Sequence, residues 1–305
     1  MFYNYYKTKK FLDFYKSRGY QESGINYALK GAFKHNSFFE NKLIVSLLEK
    51  ILPCFYIQKD LSELPESELE LLKNKKFFRI YGSTFKEMRN CPTSFTFIIN
   101  LHKNLQDIFK SFDYSLQKQI KKAQGLGLYV SLARDEKDYQ DYYNLLKTFR
   151  DKRGFGTESL NSALAMWRTM HSQNQEDSCY EVFLCRDKDK NLLSGMGIII
   201  NPEEKIFIEV ASARSDYSES RKLPDNDFLK FNIIEWGNKN QMNFYDLAGV
   251  NPSAEQGSKE YNIFRYKAKW GGELQKICHQ EIANDKNIFY RAINFLLRNF
   301  SRLKK

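Results

Sequence analysis

The apolar and polar positions along the chain repeat with two periods, one typical of strands and one typical of helices. Short apolar runs bounded by turn residues predict strands at 54–57, 76–82, 94–100, 128–132, 180–186, 192–201, 205–213, 243–249 and 273–280. Apolar residues three and four positions apart predict helices at 41–51, 62–74, 102–112, 113–127, 136–152, 158–173, 224–238 and 285–300. This mixture predicts an α/β fold in which helices flank mixed, mostly antiparallel sheets.

The order of elements after residue 113 is the most regular part of the pattern. Two helices precede three strands that are joined by short charged turns, which indicates antiparallel hairpins. A helix and two strands follow, in the order found in the core of GNAT acyltransferases. We therefore predict two GNAT-like modules, a first and trimmed one at 1–112 and a second one at 113–284. A last helix, 285–305, is expected to pack back on the first module.

Composition and charge restrict the partners only broadly. The 305 residues are enough for two domains, and 42% hydrophobic residues can bury a sizeable core. A formal net charge of +11 attracts phosphates, so nucleic acid, nucleotide-linked substrates and an anionic membrane face are all compatible partners. A host with a lysine-rich proteome would explain the same excess.

The cysteines and the N-terminal residues indicate the compartment. The five cysteines are an odd number without a CxxC pair, so neither a disulfide framework nor a zinc site is expected. The first twenty residues lack the apolar core of a signal peptide, and apolar runs such as 196–200 are too short to span a bilayer. We expect a soluble, cytoplasmic monomer whose basic face can touch the inner membrane surface.

Most standard catalytic signatures are missing from the sequence. It contains no GxSxG, HExxH, Walker or GxGxxG motif. The histidines lie in unrelated contexts and are expected to be surface or hydrogen-bonded side chains: His35, His102, His171 and His279. Nucleophilic catalysis by a Ser/His or Cys/His pair therefore has little support.

Three segments carry more information, KSFDYSLQKQIKKAQGLG (110–127), NFYDLAGVNP (243–252) and NIFRYKAKWGGEL (262–274). In this order they resemble the Fem (FemABX-like) family of peptidoglycan-bridge aminoacyltransferases, which has a basic helix, an aromatic-Asp strand and an aromatic-Lys segment ending in Gly-Gly. Residues 43–60 and 92–104 resemble the first domain of that family. The resemblance thus covers nearly the whole chain.

The resemblance implies aminoacyl transfer in cell-wall synthesis. An amino acid would pass from a charged tRNA to the side-chain amine of the third stem residue of a peptidoglycan precursor, either a UDP-MurNAc-peptide or lipid II. No metal or bound cofactor is needed for this reaction. Lys267 matches the functional lysine of the family, and we expect it to act with Tyr266 in catalysis. A cation there would stabilise the tetrahedral oxyanion of acyl transfer.

The residues around Lys267 also suggest a local structure. In an extended chain, Arg265, Lys267 and Lys269 would face one way and the intervening apolar side chains the other way. Without the resemblance, an ordinary strand with a solvated basic face would be the preferred interpretation.

Tyr245 and Asp246 lie at a predicted strand end, where ligands gather in open α/β sheets. A tyrosine at this place can hydrogen-bond a peptide or a phosphate, so both residues are predicted to bind substrate. Alternatively, Asp246 only caps the turn that follows.

Segment 218–231 distinguishes between two acyl donors. The corresponding loop of acyl-CoA GNATs holds the pyrophosphate of CoA with free backbone N–H groups. Here Pro224 removes one donor, Asp225 and Asp227 add negative charge, and no glycine is present. Binding of CoA in the usual manner is therefore disfavoured.

Further basic residues complete the predicted substrate-binding set. The resemblance implies contacts of Arg221 and Lys222 with the precursor, and Lys269 and Arg153 are also assigned to substrate binding. Arg153 can hold phosphate, although a helix-end arginine often only caps carbonyl groups. One helix also carries a lysine cluster that is either a phosphate-binding patch or a solvated face: Lys118, Lys121 and Lys122.

Two other functions remain open at this point. One is a CoA-dependent GNAT N-acyltransferase that acts on a sugar or an amine. The other is a non-catalytic protein that binds tRNA or the precursor on the same scaffold, since Gln117 and Asn100 depart from the family pattern.

Overall fold

The computed structural model describes residues 93–172 and 178–283 without further gaps. It also describes short pieces elsewhere, at 10, 21–22, 28–32, 53–57, 67, 70, 79–84, 288–289 and 291–292. The chain packs into two compact units. Unit 1 comprises Met1–Lys7, Tyr15–Thr93 and Ile277–Lys305, and unit 2 comprises Thr8–Phe14 and Ser94–Lys276.

The described part of unit 1 is a small mixed sheet. Its strands are β1 (Gln21–Glu22), β2 (Ala28–Ala32), β3 (Pro53–Ile57), β4 (Arg79–Thr84) and the second half of β11 (Glu273–Ala283). Strand β2 pairs antiparallel with β1 and β3, β3 pairs parallel with β4, and β4 pairs antiparallel with β11. The last described strand of the chain therefore completes the sheet begun by the first ones.

Unit 2 contains a larger sheet with helices on both faces. Its strands are β5 (Thr93–Asn100), β6 (Tyr129–Leu132), β7 (Tyr180–Arg186), β8 (Leu192–Asn201), β9 (Ile206–Arg214) and β10 (Phe244–Val250), with the start of β11. Its helices are α1 (Leu105–Ser111), α2 (Tyr114–Gly125), α3 (Glu136–Asp151), α4 (Leu160–Met170), α5 (Asp216–Ser220), α6 (Asp225–Lys239) and α7 (Lys259–Ala268). The strand order is β11-β5-β10-β9-β8-β7-β6, in which β9 and β10 run parallel and the other registered pairs run antiparallel.

The core of unit 2 lies between this sheet and its helices. Helix α6 packs on β7 and β8 together with α2, whereas α3 packs against β8 and β9. Residues of α6 such as Leu229 and Ile233 are fully buried. Because helices cover both faces, strand β7 is buried at nearly every position and its sequence is apolar rather than alternating.

Local sequence signals explain where α2 begins and ends. The Asp113 side chain accepts a hydrogen bond from the Ser115 N–H at 2.8 Å, which satisfies a free donor of the first turn. At the other end, Gly127 follows the cap residue Leu126 with φ +70°, a conformation that glycine adopts without strain. The helix thus spans most of the predicted range 113–127.

Most predicted elements in the described ranges are confirmed within a few residues. The α/β class and the mostly antiparallel sheet are confirmed as well. The helices predicted at 41–51, 62–74 and 285–300 lie outside the described residues, apart from isolated positions. The predicted modules 1–112, 113–284 and 285–305 stay a prediction, although residues 94–112 pack with unit 2. In the described part of the chain, no helix has the length and apolarity that a bilayer crossing requires.

A tight glycine turn joins α7 to β11. Gly271 has φ +67°, and a Cβ added there would lie 2.6 Å from the Ser111 carbonyl oxygen at the end of α1. Beside it, the Asp113 N–H donates to the Lys269 carbonyl at 2.8 Å, and Trp270 is fully buried. This turn therefore fixes α7 against the start of α2.

We expect Gly271→Ala to lower the free energy of unfolding by about 3 kcal/mol, because strain at positive φ adds to a backbone clash. Gly127→Ala is the matched control, since Gly127 has a similar φ but no atom within 4 Å of the added Cβ. The control should lose only about 1 kcal/mol in urea unfolding. Equal losses for the two variants would contradict the close approach at Ser111.

Candidate active site

The aromatic-Lys segment is a helix, so its predicted extended conformation is wrong. Residues Lys259–Ala268 form α7, and the Ser258 side chain caps it by accepting from the Tyr261 N–H at 3.1 Å. This N-cap favours a helix, although the alternation of apolar and basic residues would also fit a strand. Tyr266 in this helix and Trp270 just beyond its end lie four residues apart, and their ring centroids are 6.4 Å from each other.

Lys267 joins the second and third sequence segments. Its Nζ donates to the carbonyl oxygens of Ala248 at 3.1 Å and Gly249 at 3.2 Å. It also lies 3.5 Å from Glu209 Oε1, and only 12% of its side chain is exposed. Burial lowers the pKa of Lys267, whereas the Glu209 carboxylate acts in the opposite direction. Segments 243–252 and 262–274 thus meet where the Lys267 ammonium binds the β10 carbonyls.

A second lysine, Lys230 of α6, shares the Glu209 carboxylate. Lys230 Nζ is 2.7 Å from Glu209 Oε2, and its side chain is 2% exposed. The ammonium also lies over the rings of Tyr266 and Trp270, 5.2 and 5.5 Å from their centroids. One carboxylate therefore holds two ammonium groups from two helices, an arrangement we call the Glu209 cluster (Glu209, Lys230 and Lys267).

Tyr245 lies beneath this cluster. Its side chain is fully buried, and its hydroxyl donates to Glu209 Oε2 at 3.1 Å. Burial, reinforced by the nearby Glu209 charge, raises the pKa of Tyr245 well above its ordinary value. Tyr245 occupies the second position of β10, not a strand end, and in this structure it contacts the cluster rather than an open surface.

Asp246 shapes the backbone on which Lys267 acts. Its carboxylate accepts from the Thr96 hydroxyl and, at 2.7 Å, from the Ala248 N–H. The pairing of β10 with β5 shifts register between Asp246 and Gly249, and Ala248 adopts φ +61°. Asp246 thus caps the following turn, as the alternative interpretation held. A non-glycine residue at positive φ that is held from both sides is typical of functional sites.

Tyr266 connects the Glu209 cluster to a neighbouring cavity. Its hydroxyl donates to Asp227 Oδ1 at 3.1 Å and accepts from the Asn226 amide, also at 3.1 Å. Burial and the Asp227 charge raise the pKa of Tyr266 well above its ordinary value. Burial also raises the pKa of Asp227, against the effects of the Tyr266 hydroxyl and Lys230.

The cavity has a volume of about 430 Å³ and lies between α2, α6 and the end of α7. It brings together three of the predicted site residues, Tyr266, Lys222 and Lys269. Its lining consists of Ser115, Leu116, Gln119, Arg214, Glu219, Lys222, Leu223, Pro224, Asp227, Tyr266 and Lys269. Three cations and two carboxylates face a volume suited to part of a polar substrate.

The remaining two predicted residues lie near this cavity but do not line it. Arg153 Nη2 donates to Glu219 Oε1 at 2.9 Å, and its guanidinium stacks on the ring of Phe149. The guanidinium of Arg221 lies 4.6 Å from the ring centroid of Tyr217. The structure therefore does not bring either arginine together with Lys267.

Sequence reasoning missed Glu209, Lys230 and Arg214. An acid inside the apolar strand run KIFIEVASA was the available signal for Glu209, since isolated charges in such runs need a partner. The lysine in the apolar helix FLKFNII was the signal for Lys230. Arg214 binds the buried Asp225 at 2.7 Å and the Leu223 carbonyl at 2.7 Å, so it builds the cavity wall.

Comparison with known proteins reveals similarity in structure. No protein-family model and no curated protein matches the sequence. The crystal structure of FemX superposes with a TM-score of 0.67 at 15% identity, covering 94% of each chain. L-PGS from Bacillus licheniformis has a TM-score of 0.51 at 9% identity over 99% of each chain. A C-terminal domain described as lysylphosphatidylglycerol synthetase, from Agrobacterium fabrum, has a TM-score of 0.51 at 11% identity, covering 86% of this chain and 83% of that one.

These similarities define the class of fold. The chain has the GNAT-like α/β architecture of FemX, with a mostly antiparallel sheet flanked by helices. At identities of 9–15%, the shared property is the fold, and the chemistry of the site has to be argued from its own residues.

We expect Glu209→Gln to lower the free energy of unfolding by about 3 kcal/mol, because it leaves two buried ammonium groups without their shared partner. The control is Glu136→Gln, which breaks the exposed ion pair with Arg168 and should cost less than about 1 kcal/mol. Urea unfolding of both variants measures the difference. A Glu209→Gln loss as small as that of the control would show that the cluster contributes little to stability.

Proposed function

We propose that the protein is an aminoacyltransferase that attaches an amino acid from a charged tRNA to the stem peptide of a peptidoglycan precursor. The observation that carries this proposal is the Glu209 cluster. Through Lys267, it joins two of the three sequence segments of the Fem resemblance, 243–252 and 262–274, next to a cavity with basic side chains in its lining. The FemX-like fold adds support at the level of architecture.

The cluster has the charge that acyl transfer requires. An amine attacks the ester carbon and the C–N bond forms through a tetrahedral oxyanion. The C–O bond to the tRNA ribose then breaks, and the ribose oxygen takes up the proton that the amine loses. Lys267 would stabilise this oxyanion by exchanging one of its two backbone carbonyl acceptors for the developing charge. Glu209 would act as a positioning residue that keeps the Lys267 ammonium charged and in place, whereas Lys230 shares this carboxylate and lowers the pKa of Lys267.

The cavity is the proposed place for part of the precursor. Lys222 and Lys269 would contact its phosphate or carboxylate groups, while Asp227 fixes the Tyr266 hydroxyl. Either a UDP-MurNAc-peptide or lipid II presents the acceptor amine, and positioning that amine beside a reactive ester supplies much of the rate. In this proposal a cytoplasmic monomer acts without a metal or bound cofactor, with peripheral contact to the inner membrane face when the acceptor is lipid II.

The start of α6 supports tRNA rather than CoA as the donor. In this structure the Asp225 carboxylate, which is fully buried, binds Arg214 and the Ser218 hydroxyl. Asp227 in the same first turn accepts from Tyr266. Because these two carboxylates occupy the positive end of the helix, a pyrophosphate would meet like charge there.

Helix α2 supports contact with the tRNA backbone. Its Ser115 and Gln119 line the cavity, while Lys118, Lys121 and Lys122 are exposed on the adjoining face. Lys118 Nζ also lies 4.4 Å from the ring centroid of the exposed Tyr114. A row of cations beside the cavity is suited to phosphates that lead to the aminoacyl end.

The central experiment mixes purified protein with a UDP-MurNAc-pentapeptide and either total charged tRNA or acetyl-CoA, followed by mass spectrometry of the peptide. We expect a gain of one amino-acid residue with tRNA and at least a 100-fold slower reaction for Lys267→Ala. Lys259→Ala, an exposed lysine of the same helix, should react at the wild-type rate.

The other outcomes discriminate among functions. A mass gain with acetyl-CoA alone would assign the protein to CoA-dependent N-acyltransferases. Binding of the peptide without any mass gain would reject the enzyme for this acceptor and favour a binding protein. A Lys267→Ala variant that reacts normally while it remains folded would reject the proposed role of Lys267.

A second prediction concerns the lysines of α2. Replacing Lys118, Lys121 and Lys122 by Gln should weaken binding of charged tRNA and reduce the slope of log affinity against log salt concentration, because up to about three phosphate contacts are lost. Filter binding at several salt concentrations measures both quantities. Replacing three exposed lysines outside α2 (Lys188, Lys190 and Lys239) removes the same net charge, so an equal loss there would indicate a general charge effect.

A further inference from the structure

A buried carboxylate without a hydrogen-bond partner lies in unit 2 outside the proposed active site. Glu181 of β7 is 1% exposed, and neither of its carboxylate oxygens has a hydrogen bond in the described part of the chain. The Nδ1 atom of His171 lies 3.3 Å from Glu181 Oε2 but is likewise without a hydrogen bond. Three polar atoms at one place thus lack partners, at a cost that proteins generally avoid.

The neighbouring groups do not supply the hydrogen bonds that Glu181 and His171 Nδ1 lack. The Ser178 hydroxyl donates its single proton to the Tyr180 carbonyl at 3.2 Å. Burial raises the pKa of Glu181 to about 7, against the lowering effects of Ser178 and Lys10. Burial and then Lys10 lower the pKa of His171, so its imidazole is neutral near pH 7. In the Nε2–H tautomer of neutral His171, Nδ1 is an acceptor that faces the acceptor oxygens of an ionised Glu181.

These atoms lie at the wall of a cavity of about 560 Å³. Its described lining consists of Val130, Ser131, Leu132, Ala133, Arg134, His171, Ser172 and Glu181. The cavity follows β6 at one end of the strand order. It is separate from the Glu209 cluster, because Glu181 and Glu209 both pair with Ile198, from opposite sides. Two strand spacings, roughly 10 Å, therefore separate their backbones.

We propose that this cavity binds a small organic molecule through a primary ammonium group, with Glu181 and His171 as its acceptors. An ammonium carries three N–H donors on one atom, and the site offers three unmatched polar atoms, the two Glu181 oxygens and His171 Nδ1.

A metal ion fits the site less well than an ammonium. In the described residues, no group of three His, Cys, Asp or Glu side chains could hold one. Arg134 in the lining and Lys10 nearby also add positive charge, which favours a singly charged ligand over a divalent one.

The test uses the full chain labelled with ¹⁵N and titrated with n-butylamine at pH 8, where both the amine and Glu181 are charged. We expect saturable amide shifts confined to residues 130–134, 171–172 and 180–182, and at least tenfold weaker binding to Glu181→Gln. Butan-1-ol, which has the same chain but no charge, should give no saturable shift. Glu203→Gln replaces an exposed glutamate and should bind butylamine as the wild type does.

A pH series on the unmodified protein keeps the test valid if Glu181→Gln does not fold. The ionised fraction of a carboxyl with a pKa of about 7 rises from about one tenth at pH 6 to about nine tenths at pH 8. His171, Lys10 and Arg134 face the same place, and affinity should rise about tenfold as Glu181 ionises. Absent binding, pH-independent binding or equal binding of butan-1-ol would each overturn the proposal.

Discussion

The contact between one carboxylate, Glu209, and two lysines organises the centre of unit 2. Glu209 belongs to a central strand, Lys230 to α6 and Lys267 to α7, and all three side chains are largely withdrawn from solvent. A buried charge is tolerated only when a partner is held in place. The cluster therefore requires that the strand and the two helices adopt one mutual arrangement. Lys267 also binds the Ala248 and Gly249 carbonyls, where the pairing of β10 with β5 shifts register.

The periodicity of the sequence was sufficient to predict most helices and strands but not the contacts of the candidate active site. Strands β7 to β10 and helices α2, α3, α4 and α6 follow from local apolar patterns, because each buries one face or both. The extended conformation predicted around Lys267 was wrong, because alternating aromatic and basic residues fit a strand as well as a helix. The Ser258 cap favours the helix at 259–268. Lys267 could be selected through a family resemblance. Its partner Glu209 lies 58 positions away, and no local pattern links them.

The predicted site residues divide according to depth. Tyr245 and Asp246 are buried and shape the site from below, whereas Lys222, Lys269 and Tyr266 line a cavity. Arg153 and Arg221 instead make local contacts near α5. A sequence reveals which residue types are unusual, but burial depends on which elements pack together. For this reason the sequence predicted substrate contacts both for Tyr245, which is buried in the framework, and for Lys222, which lines the cavity.

The return of β11 to unit 1 has a consequence for the order of folding during synthesis. Strand β4 pairs with residues 278–283 of β11, and unit 2 lies between them in the sequence. During synthesis, almost two hundred residues separate the emergence of β4 from that of its partner β11. Every registered strand pair of unit 2 can form before β11 is complete. Unit 2 should thus fold first, and the sheet of unit 1 should close last, directly after Gly271 and Gly272 have set the direction of the chain.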